Sequence, residues 1–303
     1  MLHTSTVSRV SERDLSTALA AVQVERLTNN DEAEVLQFLA QRPIHTVAMM
    51  SLIHDNGIVS PFNRGTFYGC RHLNGQLEGI ALVGHATLME TISDRALAAL
   101  AQVARECPST HLIMGEKERV ADFWSHYSET GRRQRLACRE WLFELTWPVE
   151  ARESIVELRR AQTDELELVM PIQAQLAFTE SGIDPMLVDP QGFRERCLRR
   201  IEQGRTWVVV ENGELIFKAD VISKTADVVY IEGVWLRDDW RHQNLGTRFM
   251  SELMRRLLED TKSICLLVNE TNIQAQGFYR KCGFHFRATY ETIFLPRKEQ
   301  VQN

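Results

Sequence analysis

The order of apolar and polar positions repeats along the chain and predicts the same series of elements twice. A short strand followed by a polar helix start occurs at 24–32 and again at 157–165. An Asn-Gly hairpin between β-rich runs follows at 74–75 and at 212–213, where a tight turn needs positive φ. Each series continues with a buried strand, a helix carrying an aromatic pair and a last β-rich run. Four matches in the same order indicate a tandem duplication.

The duplication divides the chain into two predicted domains. Residues 1–22 have the pattern of a leader or loose first helix, 23–148 form the first domain, 149–154 a linker, and 155–297 the second domain. The length of 303 residues agrees with this division, because a chain of that size exceeds what one compact core usually holds.

Composition and charge narrow the class of protein. The 35 Lys and Arg residues stand against 41 Asp and Glu, and this acidic balance argues against a general nucleic-acid surface. No run approaches the roughly 18 apolar residues of a membrane span, and the N-terminus lacks the apolar centre of a secretory signal. The six cysteines show no CxxC spacing, which favours buried thiols in a reducing compartment. We therefore expect a cytoplasmic protein without nucleic-acid or membrane partners.

A candidate anion site occurs only in the second half. A β-rich run at 227–236 leads into a basic turn and then into a segment with apolar residues at helical spacing. The N–H groups and dipole of a helix start attract anions, and a glycine lets the backbone approach them closely. Taken alone, a basic loop that caps a surface helix fits the segment too. The predicted phosphate-binding residues are Arg241, His242, Gln243, Asn244, Leu245, Gly246 and Thr247.

This loop resembles the acyl-CoA loop of the GNAT (Gcn5-related N-acetyltransferase) superfamily. The family pattern is Arg/Gln-x-x-Gly-x-Gly/Ala, and this chain has Arg241-x-x-Asn244-x-Gly246, with asparagine in place of the first glycine. Asparagine is the non-glycine residue that best tolerates the left-handed backbone, so the loop can keep its shape. A second block, at 264–284, resembles the GNAT sequence of apolar strand, Asn, Asn, Ala and Tyr-x-x-x-Gly-Phe.

The resemblance implies an α+β fold of two tandem GNAT-like domains, each with a central, mostly antiparallel, splayed sheet flanked by helices. It implies an acyl-CoA-dependent N-acyltransferase with acetyl-CoA as co-substrate. It also implies that Tyr279 donates a proton to the leaving thiolate and that backbone N–H groups around 234–236 hold the carbonyl oxygen. Further CoA-binding roles fall on Val234, Trp235, Leu236, Asn269, Asn272 and Ala275.

Segments upstream of these blocks extend the resemblance to a bacterial subfamily. Residues 216–220 and 232–235 are similar to two-domain acetyltransferases in which a degenerate GNAT-like domain of the DUF4081 type precedes the active one. In the first half, Ser93-Asp94 starts a helix where the anion loop belongs, and Trp124 stands in place of the tyrosine. We therefore expect the first domain not to bind CoA in the usual way and to have either a packing role or a role in shaping the acceptor cleft.

An amine acceptor must lose a proton before it attacks a thioester, so the site needs a base. Glu232, in an otherwise apolar strand, is the predicted base, although an outward-facing glutamate or one paired with Lys218 fits the pattern too. Glu180 and Asp184 are the other candidates for the base. They lie where GNAT proteins place the acceptor-binding loop, and acids there would suit a cationic acceptor, although a solvated loop fits each of them.

Several alternatives stay open at this point. The acceptor can be a small-molecule amine or a protein or peptide amine, and the pattern predicts no oligomeric state. A non-catalytic acyl-CoA-binding or sensing protein is the main rival function, while an aminoacyl-tRNA-dependent transferase is disfavoured by the negative charge. We expect no metal site, because no Cys, Asp or His partner lies at ligand spacing from His45, His54, His72 or His85.

Overall fold

One continuous sheet of twelve strands runs through the residues that the computed structural model describes, 22–149, 157–241 and 244–296. The predicted leader and most of the predicted linker lie outside these ranges. The first half contributes, in chain order, β1 (Val22–Arg26), α1 (Glu32–Leu39), α2 (Pro43–Asn56), β2 (Gly65–His72), β3 (Leu77–Gly84), β4 (Ala86–Thr91), α3 (Asp94–Glu106), β5 (Leu112–Glu116), α4 (Lys117–Tyr127) and β6 (Leu136–Thr146).

The second half repeats this order with one extra short helix. It contributes β7 (Arg159–Arg160), α5 (Leu166–Ser181), α6 (Pro185–Val188), α7 (Pro190–Glu202), β8 (Thr206–Glu211), β9 (Glu214–Lys224), β10 (Val228–Leu236), α8 (Leu245–Leu257), β11 (Ser263–Asn269), α9 (Ile273–Lys281) and β12 (His285–Phe294). The structure confirms the mixed α/β class with a central sheet, and every strand pair is antiparallel except β4–β5 and β10–β11.

The two Asn-Gly hairpins form where the sequence predicts them, but their turns differ. In the second hairpin, Asn212 and Gly213 both take positive φ, at 52° and 78°, as a two-residue turn requires. The first hairpin closes over residues 73–76, where Gly75 has a φ of 90°. There Asn74 instead accepts a hydrogen bond from the Gln76 N–H through its side chain. The longer loop removes the need for positive φ at both positions.

The last strands of the two halves are exchanged. β6 pairs with β11 of the second half, from Thr146↔Ser263 to Glu140↔Asn269, and β12 pairs with β5 of the first half. β6 and β12 also pair with each other at the centre of the sheet, whose order is β1-β2-β3-β4-β5-β12-β6-β11-β10-β9-β8-β7. Fully buried Phe143, on β6, consequently packs in the core of the second half.

The sheet opens at two places, one within each of its parallel strand pairs, where the two strands separate before they end. The β10–β11 pairing ends at Tyr230↔Cys265, although β10 continues to Leu236 and β11 to Asn269. A similar but shorter opening follows Leu88↔Met114 in the first half. The apolar face of α8 packs against the sheet beside the larger opening, through residues spaced at helical intervals: Phe249, Met250, Leu253, Met254 and Leu257. Within the described ranges, no helix has both the length and the apolar character needed to cross a membrane.

We expect the two halves to unfold in one transition, because each half of the common sheet contains a strand from the other half of the chain. Phe143→Ala should lower the free energy of unfolding of the whole chain by about 3–5 kcal/mol, since it removes a fully buried aromatic ring. Urea denaturation followed by circular dichroism and tryptophan fluorescence measures this change. Leu73→Ala, at an exposed loop position, is the control and should have little effect. Two separate transitions, with only one shifted by Phe143→Ala, would contradict the expectation.

Candidate functional site

The predicted anion loop joins β10 to α8 with a left-handed residue at its end. Asn244 has a φ of 57° and a ψ of 9°, the conformation for which the sequence motif of related loops uses glycine. Its side chain makes no capping hydrogen bond to α8. In the first half, by contrast, the Ser93 side chain caps α3 by accepting the Ala96 N–H at 3.2 Å. The Asn244 side chain therefore does not occupy the N–H groups at the start of α8, whereas Ser93 occupies those at the start of α3.

The other predicted loop residues lie around this helix start. A Cβ atom at Gly246 would stand 3.3 Å from Leu236 and from Phe278, so α8 packs closely against the end of β10 and against α9. Arg241 is exposed, and its guanidinium donates to the Leu236 carbonyl at 3.2 Å and pairs with Asp238 at 2.8 Å. Leu245 and Thr247 lie in the first turn of α8. His242 and Gln243 lie outside the described residues.

On the other side of the opening, two asparagines shape the turn from β11 into α9. Asn269 accepts hydrogen bonds from the Thr271 N–H and hydroxyl, at 2.9 and 2.6 Å. Asn272 caps α9 by accepting the Ala275 N–H at 3.0 Å. Buried Gln276, which the sequence analysis does not single out, donates to the carbonyls that precede the turn. These side chains fix the backbone of the β11–α9 turn at the edge of the opening.

A bulge in β10 lies next to the opening and rests on a buried ion pair. The register shifts between Glu232 and Trp235, and Gly233 has a φ of 60°. Fully buried Lys218 donates to Asp220 and to Gln173, each at 2.7 Å, and reaches the Gly233 carbonyl at 3.4 Å. Lys218 thus pairs with Asp220 and leaves Glu232 to another partner. A side chain at Gly233 would collide with the Lys218 ammonium, because a Cβ there would lie 3.0 Å from it.

Beyond Tyr230, β10 has no strand partner on the side of β11, while it stays paired with β9 as far as Leu236. The N–H groups of this stretch that point away from β9 therefore face the opening. Val234, Trp235 and Leu236 are half-buried there, and all three pack against apolar clusters of the second half.

Tyr279 lies half-buried beside the same opening. Its ring stands edge-on to Phe278 and Phe284, with centroids 5.3 and 5.7 Å away. Burial raises the pKa of Tyr279 well above its usual range, and the charges of Cys282 and Glu180 add to the rise. The phenol consequently keeps its proton at neutral pH. Within the described parts of the chain, its hydroxyl has no hydrogen-bond partner.

Three glutamates from different elements interact electrostatically near this tyrosine. Burial raises the pKa of Glu180, on α5, to about 8, and the charges of Glu232 and Glu140 contribute to the shift. Glu232 accepts a hydrogen bond from the Tyr230 hydroxyl. Glu180 keeps an accessible side chain although many protein atoms surround it, as expected at the wall of a concave site. It can therefore meet a ligand in surroundings that are poor in water.

Glu140 belongs to the first half and reaches this site through the exchanged strand β6. It accepts a hydrogen bond from Thr292 at 2.7 Å. Burial raises its pKa, the Thr292 hydrogen bond opposes the rise, and the charge of Glu232 adds to it. Asp184, the other predicted acceptor-binding acid, caps α6 by accepting the Met186 N–H at 2.8 Å. Among the described residues, no group of three or more His, Cys, Asp or Glu side chains has an arrangement that would hold a metal ion.

Side chains narrow the matching opening of the first half to a cavity of about 40 Å³. Glu90 lies two residues past the last β4–β5 pair, as Glu232 lies two residues past the last β10–β11 pair. Arg42 pairs there with Glu90 at 3.1 Å and with Glu116 at 2.5 Å. Trp124, in the place of the tyrosine, stacks on Tyr127 inside the first-half core.

A sequence profile of the acetyltransferase (GNAT) family matches residues 173–284, the part of the chain that contains the larger opening. A search of curated proteins found no significant match.

Solved structures share the fold over nearly the whole chain. A GNAT-family acetyltransferase from Colwellia psychrerythraea is 11% identical with a TM-score of 0.55, over 90% of this chain and 100% of that one. A Drosophila protein is 11% identical with a TM-score of 0.64, and the match covers 90% of this chain and 98% of the Drosophila chain. A tandem GNAT protein from the clavulanic acid biosynthesis pathway is 13% identical with a TM-score of 0.54, and the match covers 89% of this chain and 98% of that protein. These likenesses confirm the predicted fold of two GNAT-like halves.

The raised pKa of Glu180 predicts a stability effect with a definite sign. Between the ordinary pKa of 4.5 and the folded value of about 8, the folded chain binds more protons than the unfolded one, so Glu180 destabilises the fold as pH rises. Glu180→Gln should match the melting temperature of the wild type near pH 4, exceed it increasingly up to pH 8, and keep a constant lead above that. Glu167→Gln, an exposed glutamate on the same helix, is the control. A difference in melting temperature that does not change with pH would contradict the raised pKa.

Proposed function

This chain contains a domain of the GNAT superfamily, and from that premise we propose that it is an acyl-CoA-dependent N-acyltransferase that moves an acetyl group directly to an amine. One observation carries the proposal. The opening between β10 and β11 has at one end a helix start that the Asn244 side chain does not cap, and at the other an accessible carboxyl group whose pKa burial raises to about 8.

The residues around the opening fit acetyl-CoA, which would supply an acyl group activated as a thioester. Arg241 and the first turn of α8 would hold its phosphates, because Asn244 already has the left-handed backbone that the loop needs. Gly246 keeps the close contact of α8 with β10 that a side chain would disturb. Asn269, Asn272 and Ala275 would border the arm that carries the thioester.

We assign the base to Glu180 and an electrostatic role to Glu232. A base works best when its pKa lies near the working pH, and the pKa of Glu180, about 8, meets that condition. Glu232, the base predicted from the sequence, is engaged by the Tyr230 hydroxyl, and its negative charge contributes to the raised pKa of Glu180. Glu180 would remove the proton of the ammonium group, so that the neutral amine attacks the acyl carbon.

Tyr279 would protonate the departing sulfur. Its pKa lies above the usual range, so the phenol holds a proton at neutral pH, and its hydroxyl is not committed to another described residue. The N–H groups of residues 234–236 that face the opening would stabilise the negative oxygen of the tetrahedral intermediate.

The acceptor that suits this site is a cationic amine. Glu140, Glu180 and Glu232 together give the acceptor side of the opening a negative potential, which attracts ammonium groups. A small-molecule amine and a protein or peptide amine both have this chemistry. We further propose that the protein acts in the cytoplasm and has no nucleic-acid, membrane or metal partner.

The CoA site is tested by calorimetric titration of CoA and acetyl-CoA. The intact chain should bind both with micromolar affinity, and Arg241→Ala combined with Gly246→Trp should abolish binding, since the second change fills the space between α8, Leu236 and Phe278. Arg194→Ala, a surface arginine on α7, serves as the control and should bind like the wild type. If the intact chain binds neither compound, the enzyme proposal fails.

The assignments of acid and base are tested by thiol release from acetyl-CoA with a panel of primary amines. Wild-type kcat/KM should rise with pH as Glu180 loses its proton, with an inflection near pH 8. Glu180→Gln should remove that inflection and lower kcat by about 10²–10⁴-fold, and Tyr279→Phe should lower kcat with little change in the KM for acetyl-CoA. Glu167→Gln is the matched control. Tight CoA binding without thiol release would favour the non-catalytic sensing function.

A further inference from the structure

A second concave region lies between the two halves of the chain, away from the β10–β11 opening. It has a volume of about 410 Å³, within the range of small-molecule sites. Helix α7 of the second half forms one wall, and Phe62 and Arg64 of the first half form another. We call it the arginine cleft, because its charged lining consists of Arg64, Arg196, Arg199, Arg200 and Arg205 with the single acid Glu195.

Three of these arginines form ion pairs with neighbouring carboxylates. Arg196 pairs with Asp189 at 3.0 Å, Arg200 with Asp220 at 2.8 Å, and Arg205 with Asp55 at 2.7 Å. These ion pairs fix the orientation of the three arginines. The three side chains line the cleft, and each already has a carboxylate partner.

The other two arginines have no carboxylate within ion-pair distance among the described residues. The Arg199 guanidinium lies over the ring of Phe62, with its carbon 3.8 Å from the ring centroid. Arg64 has no hydrogen bond from its side chain to any described residue. Burial and the charge of Arg196 lower the pKa of Arg64, while the charge of Asp189 opposes this shift. A negative ligand would offset the repulsion between Arg64 and Arg196.

The backbone at Arg64 adds a second indication. Its φ of 53° is a left-handed conformation that a long side chain seldom adopts. The surrounding structure fixes it, since the Arg64 N–H donates to the Pro61 carbonyl and its own carbonyl accepts the His85 N–H at 2.9 Å. Strain of this kind tends to persist where a side chain must be aimed at a ligand.

We propose that the arginine cleft binds a small phosphate-bearing anion through Arg64 and Arg199. Guanidinium groups form two parallel hydrogen bonds to phosphate, and two arginines without a described ion-pair partner favour a ligand with at least two negative charges. Phe62, which is more than half exposed, offers an apolar surface beside them. The shared chemistry is a diphosphate group, supplied either by an inorganic diphosphate or by a nucleoside diphosphate.

The site is tested by calorimetric titration of inorganic pyrophosphate at constant ionic strength. The titration uses the full chain carrying Arg241→Ala and Gly246→Trp, so that the loop before α8 cannot account for the signal. In that background, we expect binding that Arg64→Gln with Arg199→Gln weakens at least tenfold. Arg194→Gln, which removes an arginine of the same helix that points outside the cleft, should leave the affinity unchanged.

Two results would overturn the proposal: no binding of pyrophosphate in the Arg241→Ala, Gly246→Trp background, or equal affinity with and without Arg64 and Arg199. Arg199→Gln alone, at an exposed helix position, keeps the test valid if the double change disturbs folding, and it should still weaken binding several-fold.

ADP, titrated in parallel, distinguishes the two sources of the diphosphate group. Tighter binding of ADP assigns the cleft to a nucleotide stacked on Phe62, and equal binding assigns it to an inorganic diphosphate.

Discussion

The exchange of β6 and β12 is the constraint on which the rest of the structure depends. It places a strand of each half at the centre of the common sheet, so that neither core is complete by itself. The same exchange brings Glu140 from the first half beside β11, where its charge acts on Glu180 of the second half. The raised pKa of Glu180 is therefore a property of both halves together, although the residue and its helix belong to one of them.

Buried charge on the other side of β10 fixes the shape of the opening. Lys218 and Arg200 hold the pKa of Asp220 below its usual value, even though burial favours the neutral acid. The resulting cluster supports the bulge at Gly233, which lies beyond the last β10–β11 pair. Replacing Asp220 would leave Lys218 and Arg200 without the carboxylate that they share, which is costly for buried charges.

The local sequence pattern predicted the helices and strands. It could not predict contacts between residues that are far apart in the sequence. The Asn-Gly hairpins and the strand–helix blocks of the second half depend on residues close in sequence, and the resemblance carried by those blocks implied the fold class. Strand exchange could not be predicted, because β6 and β12 have the same β-rich pattern whichever half they join. The pKa of Glu180 and the ion pairs of Arg42 require residues from separate elements to meet. The domain boundaries, the assigned site residues and the finer bacterial subfamily stay predictions.

The arrangement of strands bears on how such a chain can arise and diverge. Two identical copies of one half, related by a two-fold axis and exchanging their last strands, would build the same twelve-strand order as a homodimer. Joining the copies in one chain allows them to diverge, and the ion pairs of Arg42 in the first-half opening are one such difference. The first half cannot lose β6, however far it diverges, because β6 pairs with β11 in the sheet of the second half.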